Sequence, residues 1–362
     1  MSRYNRHIIM PEIGPKGQEK LAKAKVLVIG AGGLGCPVLQ YLAAAGIGTI
    51  GIVDFDVVEI SNLQRQVLFG TSDVGKNKAL AAKEHLLDLN NTIQIETYPY
   101  QLTYQNALNL FRQYDIVVDG SDNFPTRYLV NDACILTEKP LVYGAIFKFE
   151  GQVAVFNYNN GPSYRCLFPE PPKDGSVPNC SDIGVLGVLP GIIGSMQANE
   201  VLKIILGLGS VISGSLLLYN ALTAQTTTIS INRSESQFEK VLSQRDAFQK
   251  KEMKNLCETS TFEVDIKDIS SYRNIQFIDV REMHEEPKVD LDGAIQLPMS
   301  ILESRLNEID ANGTKILFCA SGIRSLKAAT LLQQHGISHA YSLKDGVQAL
   351  ITHQKNKEHE RA

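Results

Sequence analysis

Lys25-Val-Leu-Val-Ile-Gly-Ala-Gly-Gly-Leu-Gly35 is a short apolar, β-branched run that stops at a glycine-rich turn, and residues 36–46, CPVLQYLAAAG, continue it as a helix closed by Gly46. Residues 49–56, TIGIVDFD, form the next strand and end in acid, so the opening is a βαβ unit of a doubly wound parallel sheet. Strands follow at 93–100 (IQIETYPY), 115–120 (DIVVDG), 140–147 (PLVYGAIF) and 151–158 (GQVAVFNY), the last two near a hairpin. A polar loop over 159–182 precedes a glycine-interrupted apolar helix through MQANEVLKIILG, and residues 215–231 read as a closing hairpin.

At 362 residues the chain has room for two domains, and composition marks the boundary. Residues 1–232 form the first α/β domain. Residues 233–260, almost wholly polar, read as a linker with room for some helix, and 261–362 as a second α/β domain. In the latter, IQFIDV (275–280), KILFCA (315–320) and AYSLKDG (340–346) read as strands and 325–336 as a helix. The net charge of −4, with no basic block beyond pairs such as Lys250-Lys251, gives no electrostatic footprint for nucleic acid or an anionic membrane. Residues 204–232 carry no charge but are broken by Gly207, Gly209 and Gly214, which fits a helix end, a turn and buried strands better than a membrane span. The first residues hold no signal-like apolar stretch, so a cytoplasmic location is expected. The six cysteines (36, 134, 166, 180, 257 and 319) include no Cys-x-x-Cys pair, so neither disulfides nor a clustered zinc site is expected.

Gly30, Gly32, Gly33 and Gly35 satisfy G-x-G-x-x-G between strand and helix, where free N–H groups of a helix start suit phosphate. Asp54, at the end of the second strand, is placed to bond ribose hydroxyls. Alone, these features suit an NAD-dependent oxidoreductase. Glu59, Ser61, Asn62, Arg65, Gln66, Gly75-x-x-Lys78 and Gly120-Ser121-Asp122-Asn123 add polar and cationic groups for a triphosphate, with carboxylates able to hold Mg²⁺. Singly, each has a bland reading, Lys78 as a solvated helix lysine and Asn62 as a loop cap; it is the ordered set that argues for ATP.

Together, RYNRHI, VLVIGAGGLGCPVLQYLAAAGIG, VDFDVVEISNLQRQ, GKNKA, DGSDNFPTRYLVND, YRCLFPEPP and GVLPGIIGSMQANE resemble the ThiF/MoeB/Uba4 adenylyltransferases, E1-like enzymes with a Rossmann-like doubly wound sheet, over about residues 3–230. The resemblance implies ATP-dependent adenylation of the C-terminal glycine of a ubiquitin-like sulfur carrier ending in Gly-Gly, with release of pyrophosphate. By motif, Gly33 and its neighbours would line the phosphates, Asp54 hold the ribose, and Asn62, Arg65 and Lys78 contact the triphosphate. Ser61 would belong to the same nucleotide set, Asp122 would hold Mg²⁺ with Asn123 beside it, and Arg6 would reach across a homodimer into the partner's site. Many relatives bind structural zinc through two Cys-x-x-Cys pairs. Here residues 163–166 read Ser-Tyr-Arg-Cys and residues 233–238 hold no cysteine, so no zinc is expected and apolar packing should hold this tail. Cys180 lies on a polar loop where relatives place a thiol that takes the activated carrier.

Cys319-Ala-Ser-Gly-Ile-Arg324-Ser325 is a turn between a strand and a helix, which points the thiol into backbone N–H groups suited to an anionic sulfur or a persulfide, and Arg324 adds positive charge. With residues 278–282 (IDVRE) and 293–298 (GAIQLP), this loop resembles a single rhodanese domain. The joined pair implies a sulfur-transfer machine in which Cys319, loaded by thiosulfate or a cysteine desulfurase, converts the adenylated carrier to a thiocarboxylate for molybdopterin, thiamine or thiolated-tRNA synthesis. An NAD-dependent oxidoreductase, a non-catalytic scaffold and an ATP-dependent tRNA-modifying relative are the competing readings.

Overall fold

The structure, a computed structural model, describes residues 3–172, 184–251, 262–289, 291, 293–310, 312–320 and 322–359. The chain forms two compact units, Met1–Met253 and Lys254–Ala362. Among the described residues, no helix is long and apolar enough to cross a membrane.

The first unit is built on an eight-stranded sheet of order β3-β2-β1-β4-β5-β6-β7-β8. Its strands are β1 (Lys25–Ile29), β2 (Thr49–Val53), β3 (Gln94–Tyr98), β4 (Ile116–Asp119), β5 (Leu141–Phe147), β6 (Glu150–Phe156), β7 (Ser215–Asn220) and β8 (Gln225–Ser230). The first five run parallel and the last three antiparallel. The inner strands read as unbroken apolar runs because both faces are covered: four of the five residues of β1 are buried, as is all of β4. The order reverses between β1 and β4, so a crevice opens beyond their carboxyl ends, where folds of this kind take their ligands.

The Gly-rich turn closes that crevice from below. Gly30 has φ +90°, a conformation that side-chain-bearing residues rarely adopt. At Gly35 a Cβ would lie 1.9 Å from the Gly30 carbonyl oxygen, so only glycine lets the helix Gly35–Ala45 start this close to β1.

Two expectations need correction. Residues 233–260 are not simply a linker: helices Glu235–Leu242 and Arg245–Phe248 belong to the first unit and bury Phe238, Val241 and Phe248 in its core beside Phe111. Tyr104 meets the Phe248 ring edge-on at 5.0 Å. Three apolar residues suffice because each falls on the packed side of a short helix, a pattern that an average over the polar segment hides. The first unit therefore runs about twenty residues past the expected boundary at 232. Residues 204–232 do form a helix end, turns and a hairpin, but β8, at one edge of the sheet, is exposed at every residue.

The tail of the first unit is also tied through Cys166. Its sulfur accepts the N–H groups of Ser163 and Ser234, each at 3.3 Å, and the Arg233 guanidinium stacks on Phe238 at 3.5 Å. Arg165 makes a bidentate pair with Asp132 at 2.6 and 2.8 Å, fastening the YRC turn to the helix Phe124–Thr137.

The second unit has a five-stranded parallel sheet of order β11-β10-β12-β13-β9. The strands are β9 (Glu263–Val264), β10 (Ile275–Asp279), β11 (Ile295–Gln296), β12 (Thr314–Phe318) and β13 (Ala340–Leu343). Helix Ile323–Gln334 follows β12 and packs Ala328, Ala329 and Leu332 against Leu317, Cys319 and Ala340.

Candidate functional site

At the crevice of the first unit, Asp54 leaves the end of β2 and turns inward. Its carboxylate accepts the Ala31 N–H at 2.7 Å and the Asp56 N–H at 2.9 Å, so it braces the glycine-rich turn from the side. Burial pushes its pKa above the ordinary carboxylate value, against the opposing pull of those N–H bonds and of Lys78. Cys36 supports the same turn by donating its thiol hydrogen to the Ala31 carbonyl at 3.3 Å, and burial raises its pKa to about 12, which keeps it an unreactive core residue. Cys134 is likewise buried in the core.

Lys78 is no solvated helix lysine. It opens the helix Lys78–Leu89, is 7% exposed, and bonds the Asp56 carboxylate at 3.1 Å. Asn77 caps the helix by accepting the Leu80 N–H, and its amide donates to the carbonyls of Asp54 and Asp56. Asp56 thus pairs with the Lys78 ammonium in this structure. Ser61, Asn62 and Arg65 lie on one short turn. Asn62 is buried and accepts the Glu59 N–H, Ser61 donates to the Glu59 carboxylate, and the Arg65 guanidinium bonds the Ser61 carbonyl at 3.0 Å.

Asp122 is exposed at the end of β4, and Asn123 caps the next helix by accepting the Thr126 N–H. Beneath them Asp119 is buried, with one carboxylate oxygen on the Ser121 N–H and the other accepting no hydrogen bond among the described residues; burial raises its pKa.

The residues present fit a polar, anionic ligand. A Cβ at Gly32 would stand 3.7 Å from the Gln66 amide, and one at Gly30 would stand 3.6 Å from the Ser121 nitrogen. Among the described residues Gln66 Oε1 and Ser121 Oγ, both buried at this rim, have no hydrogen-bond partner, an arrangement that costs about 1–3 kcal/mol per group. Among the described residues no cluster of three His, Cys, Asp or Glu could hold a metal. A single carboxylate such as Asp122 still suits Mg²⁺, which takes most of its remaining ligands from substrate phosphates and water.

Arg6 is not brought to this site. It is exposed on the short helix Asn5–Ile8, where the neighbouring Tyr4 packs over Gly46 and bonds Asn90 and Thr92. Gly46 ends the helix that Gly35 begins, about 16 Å away along its axis.

In the second unit Cys319 lies just beyond β12, 1% exposed, with Sγ accepting the Gly322 N–H at 3.1 Å and Ser325 Oγ at 3.6 Å. Of the expected ring of N–H donors, Gly322 supplies the one bonded among the described residues. Arg324 does not present free charge: it makes a bidentate pair with Glu285 at 2.5 and 2.7 Å. Sequence reading did not single out Glu285, 39 residues away along the chain. Arg281 and Asp279 form a second bidentate pair, with Arg281 wholly buried. Cys180 and Cys257 fall outside the described residues.

The hydrogen bonds from Arg324 hold the Glu285 carboxyl down to about 2. Because this value lies below that of an unfolded glutamate, the ionised pair stabilises the fold fully above about pH 5 and its contribution is lost as the pH falls toward 2. Glu285→Gln should therefore flatten the acid-side fall of the second unit's unfolding midpoint; equal acid losses in the two proteins would contradict this.

A family model described as the ThiF family matches residues 4–240, and one described as a rhodanese-like domain matches residues 264–353. A protein of Mycobacterium tuberculosis named probable adenylyltransferase/sulfurtransferase MoeZ is 42% identical over 368 residues, spanning 96% of this chain and 92% of its own. A Thermus thermophilus protein named sulfur carrier protein adenylyltransferase is 56% identical over 239 residues, 65% of this chain and 88% of its own. Among solved structures, E. coli MccB with ATP aligns with TM-score 0.56 and 25% identity, over 64% of this chain and 72% of that one.

Proposed function

The chain belongs to the ThiF family and carries a rhodanese-like domain behind it, and from that premise we propose that it adenylates the C-terminal glycine of a ubiquitin-like sulfur carrier and then sulfurates it. The observation that carries this reading is the pairing of a triphosphate-type crevice with a buried cysteine held at a helix N-terminus, in one chain whose relatives are named for both activities.

In the first half-reaction the carrier's carboxylate attacks the α-phosphorus of ATP, the bond to the bridging oxygen breaks, and pyrophosphate leaves. The glycine-rich turn approaches the phosphates closely, and the Asp54 carboxylate takes the ribose hydroxyls on lone pairs left over from bracing that turn. Lys78 and Arg65 supply positive charge where the crowded phosphate gains negative charge, and to do so Lys78 exchanges Asp56 for phosphate. No general base is required, because the attacking carboxylate is already ionised. Asp122 would hold Mg²⁺, which supplies further charge neutralisation on the phosphates. Arg6 would serve a second copy of the chain, a role that suits its distance from its own turn.

In the second half-reaction the outer sulfur of a Cys319 persulfide attacks the acyl carbon and AMP leaves, giving an acyl disulfide. A second thiol then attacks Cys319 Sγ and the S–S bond breaks, releasing the thiocarboxylate; Cys180 is the candidate for that thiol. Donation by Gly322 N–H and the positive end of helix Ile323–Gln334 both favour negative charge on Sγ.

The test is intact-mass spectrometry of a carrier ending in Gly-Gly, incubated with this chain, Mg-ATP and thiosulfate. The expected result is replacement of one carboxyl oxygen by sulfur, dependent on ATP. A panel of carriers that gains neither AMP nor sulfur would overturn the reading.

A further inference from the structure

We propose that Ser342 is a positioning residue for Cys319, acting through the hydroxyl of Ser325. This rests on the reading of Cys319 as the sulfur-bearing nucleophile. β13 pairs Leu317 with Ser342 on one side and Glu263 on the other, so the Ser342 backbone is fixed within the sheet. Because side chains alternate along strands, Ser342 shares a face with Ala340, and its partner Leu317 shares one with Cys319. Ser342 is 0% exposed, and a hydroxyl at such a position has a cost unless its bonds are made.

The bonds present there point at the sulfur. Ser342 Oγ lies 2.8 Å from Ser325 Oγ and 3.1 Å from the Gly322 carbonyl; Ser325 Oγ lies 3.0 Å from the same carbonyl and 3.6 Å from Cys319 Sγ. Both serines are wholly buried, so no solvent replaces a missing partner. The Gly322 carbonyl already receives the Leu326 N–H as the first bond of the helix. A single hydroxyl hydrogen on Ser325 must therefore choose between the carbonyl, Ser342 and the sulfur. When Ser342 donates to the Gly322 carbonyl, that oxygen's two lone pairs are taken by Ser342 and the Leu326 N–H, and the Ser325 hydrogen turns to Sγ, adding a second donor beside the Gly322 N–H. Without Ser342, Ser325 is left to the carbonyl, its shorter contact.

The experiment uses the full chain and measures two properties of Cys319 at one pH. One is alkylation by iodoacetamide, read on the Cys319 peptide, in which the S–C bond forms and iodide leaves. The other is loading from thiosulfate, read as gain of one sulfur atom, in which Sγ attacks the outer sulfur and sulfite departs with the bonding pair. Ser342→Ala is expected to slow both about tenfold, as loss of one hydrogen bond to a charged acceptor does. Ser325→Ala should do the same, and the double variant should be no slower than either single, since Ser342 acts through Ser325. Ser342→Thr, which keeps the hydroxyl, should recover much of the rate.

A Ser342→Ala protein with a lowered unfolding midpoint but an unchanged alkylation rate would show Ser342 to be structural only. Single effects that multiply in the double variant would also overturn the proposal. A parent whose Cys319 alkylates yet accepts no sulfur would instead overturn the sulfur-transfer reading, and the alkylation series would still decide the role of Ser342.

Discussion

Cys319→Ala should abolish transfer of sulfur to the carrier, by at least about a thousandfold, while ATP–pyrophosphate exchange continues at the parent rate. Among the described residues no other thiol is placed to substitute. Cys36 and Cys134 are buried in the core of the first unit, and Cys166 is tied to the backbone of Ser163 and Ser234. The exchange reaction survives because its groups all belong to the first unit, which has its own sheet and core. The carrier should then accumulate as its adenylate, visible in intact mass. Unimpaired sulfur incorporation in this variant would mean that another thiol carries the sulfur.

The second large effect concerns Lys78. Lys78→Ala should lower ATP–pyrophosphate exchange about a hundred- to a thousandfold, with most of the loss in kcat, because on the proposed mechanism the buried ammonium meets charge that develops on the phosphates during the reaction. Its position is over-determined: the backbone nitrogen bonds the Asp56 carbonyl, the ammonium bonds the Asp56 carboxylate, and the Asn77 cap fixes the helix start. Lys76 provides the contrast. It is also a lysine of the same loop, but it spends its charge on Asp73 and Glu84, so Lys76→Ala should leave exchange within about twofold. Similar losses in the two variants would mean that Lys78 acts by holding the loop rather than by meeting phosphate.

The parts of this molecule that sequence exposes are those whose signal is local. Residues 25–54 announce strand, turn, helix, strand and acid because periodicity and glycine placement are written within a few residues. Cys319 and its turn are legible for the same reason. Pairings across the fold are not. Glu285 reaches Arg324 from 39 residues away, Arg165 reaches Asp132 from 33, and Ser342 meets Ser325 only because β13 lies beside β12. Each of these residues looks like an ordinary polar side chain until the topology brings its partner. Phe238, Val241 and Phe248 fail to stand out for a related reason: short helices bury single residues, and their polar surroundings dominate any average over the segment.

That each unit has core clusters of its own also has a thermal consequence. Cooperative unfolding is a property of a core, so each unit should melt at its own midpoint rather than the chain melting as one. Brief heating between those midpoints would silence one half-reaction while sparing the other, and the order in which the activities disappear would identify the more fragile unit without any mutation.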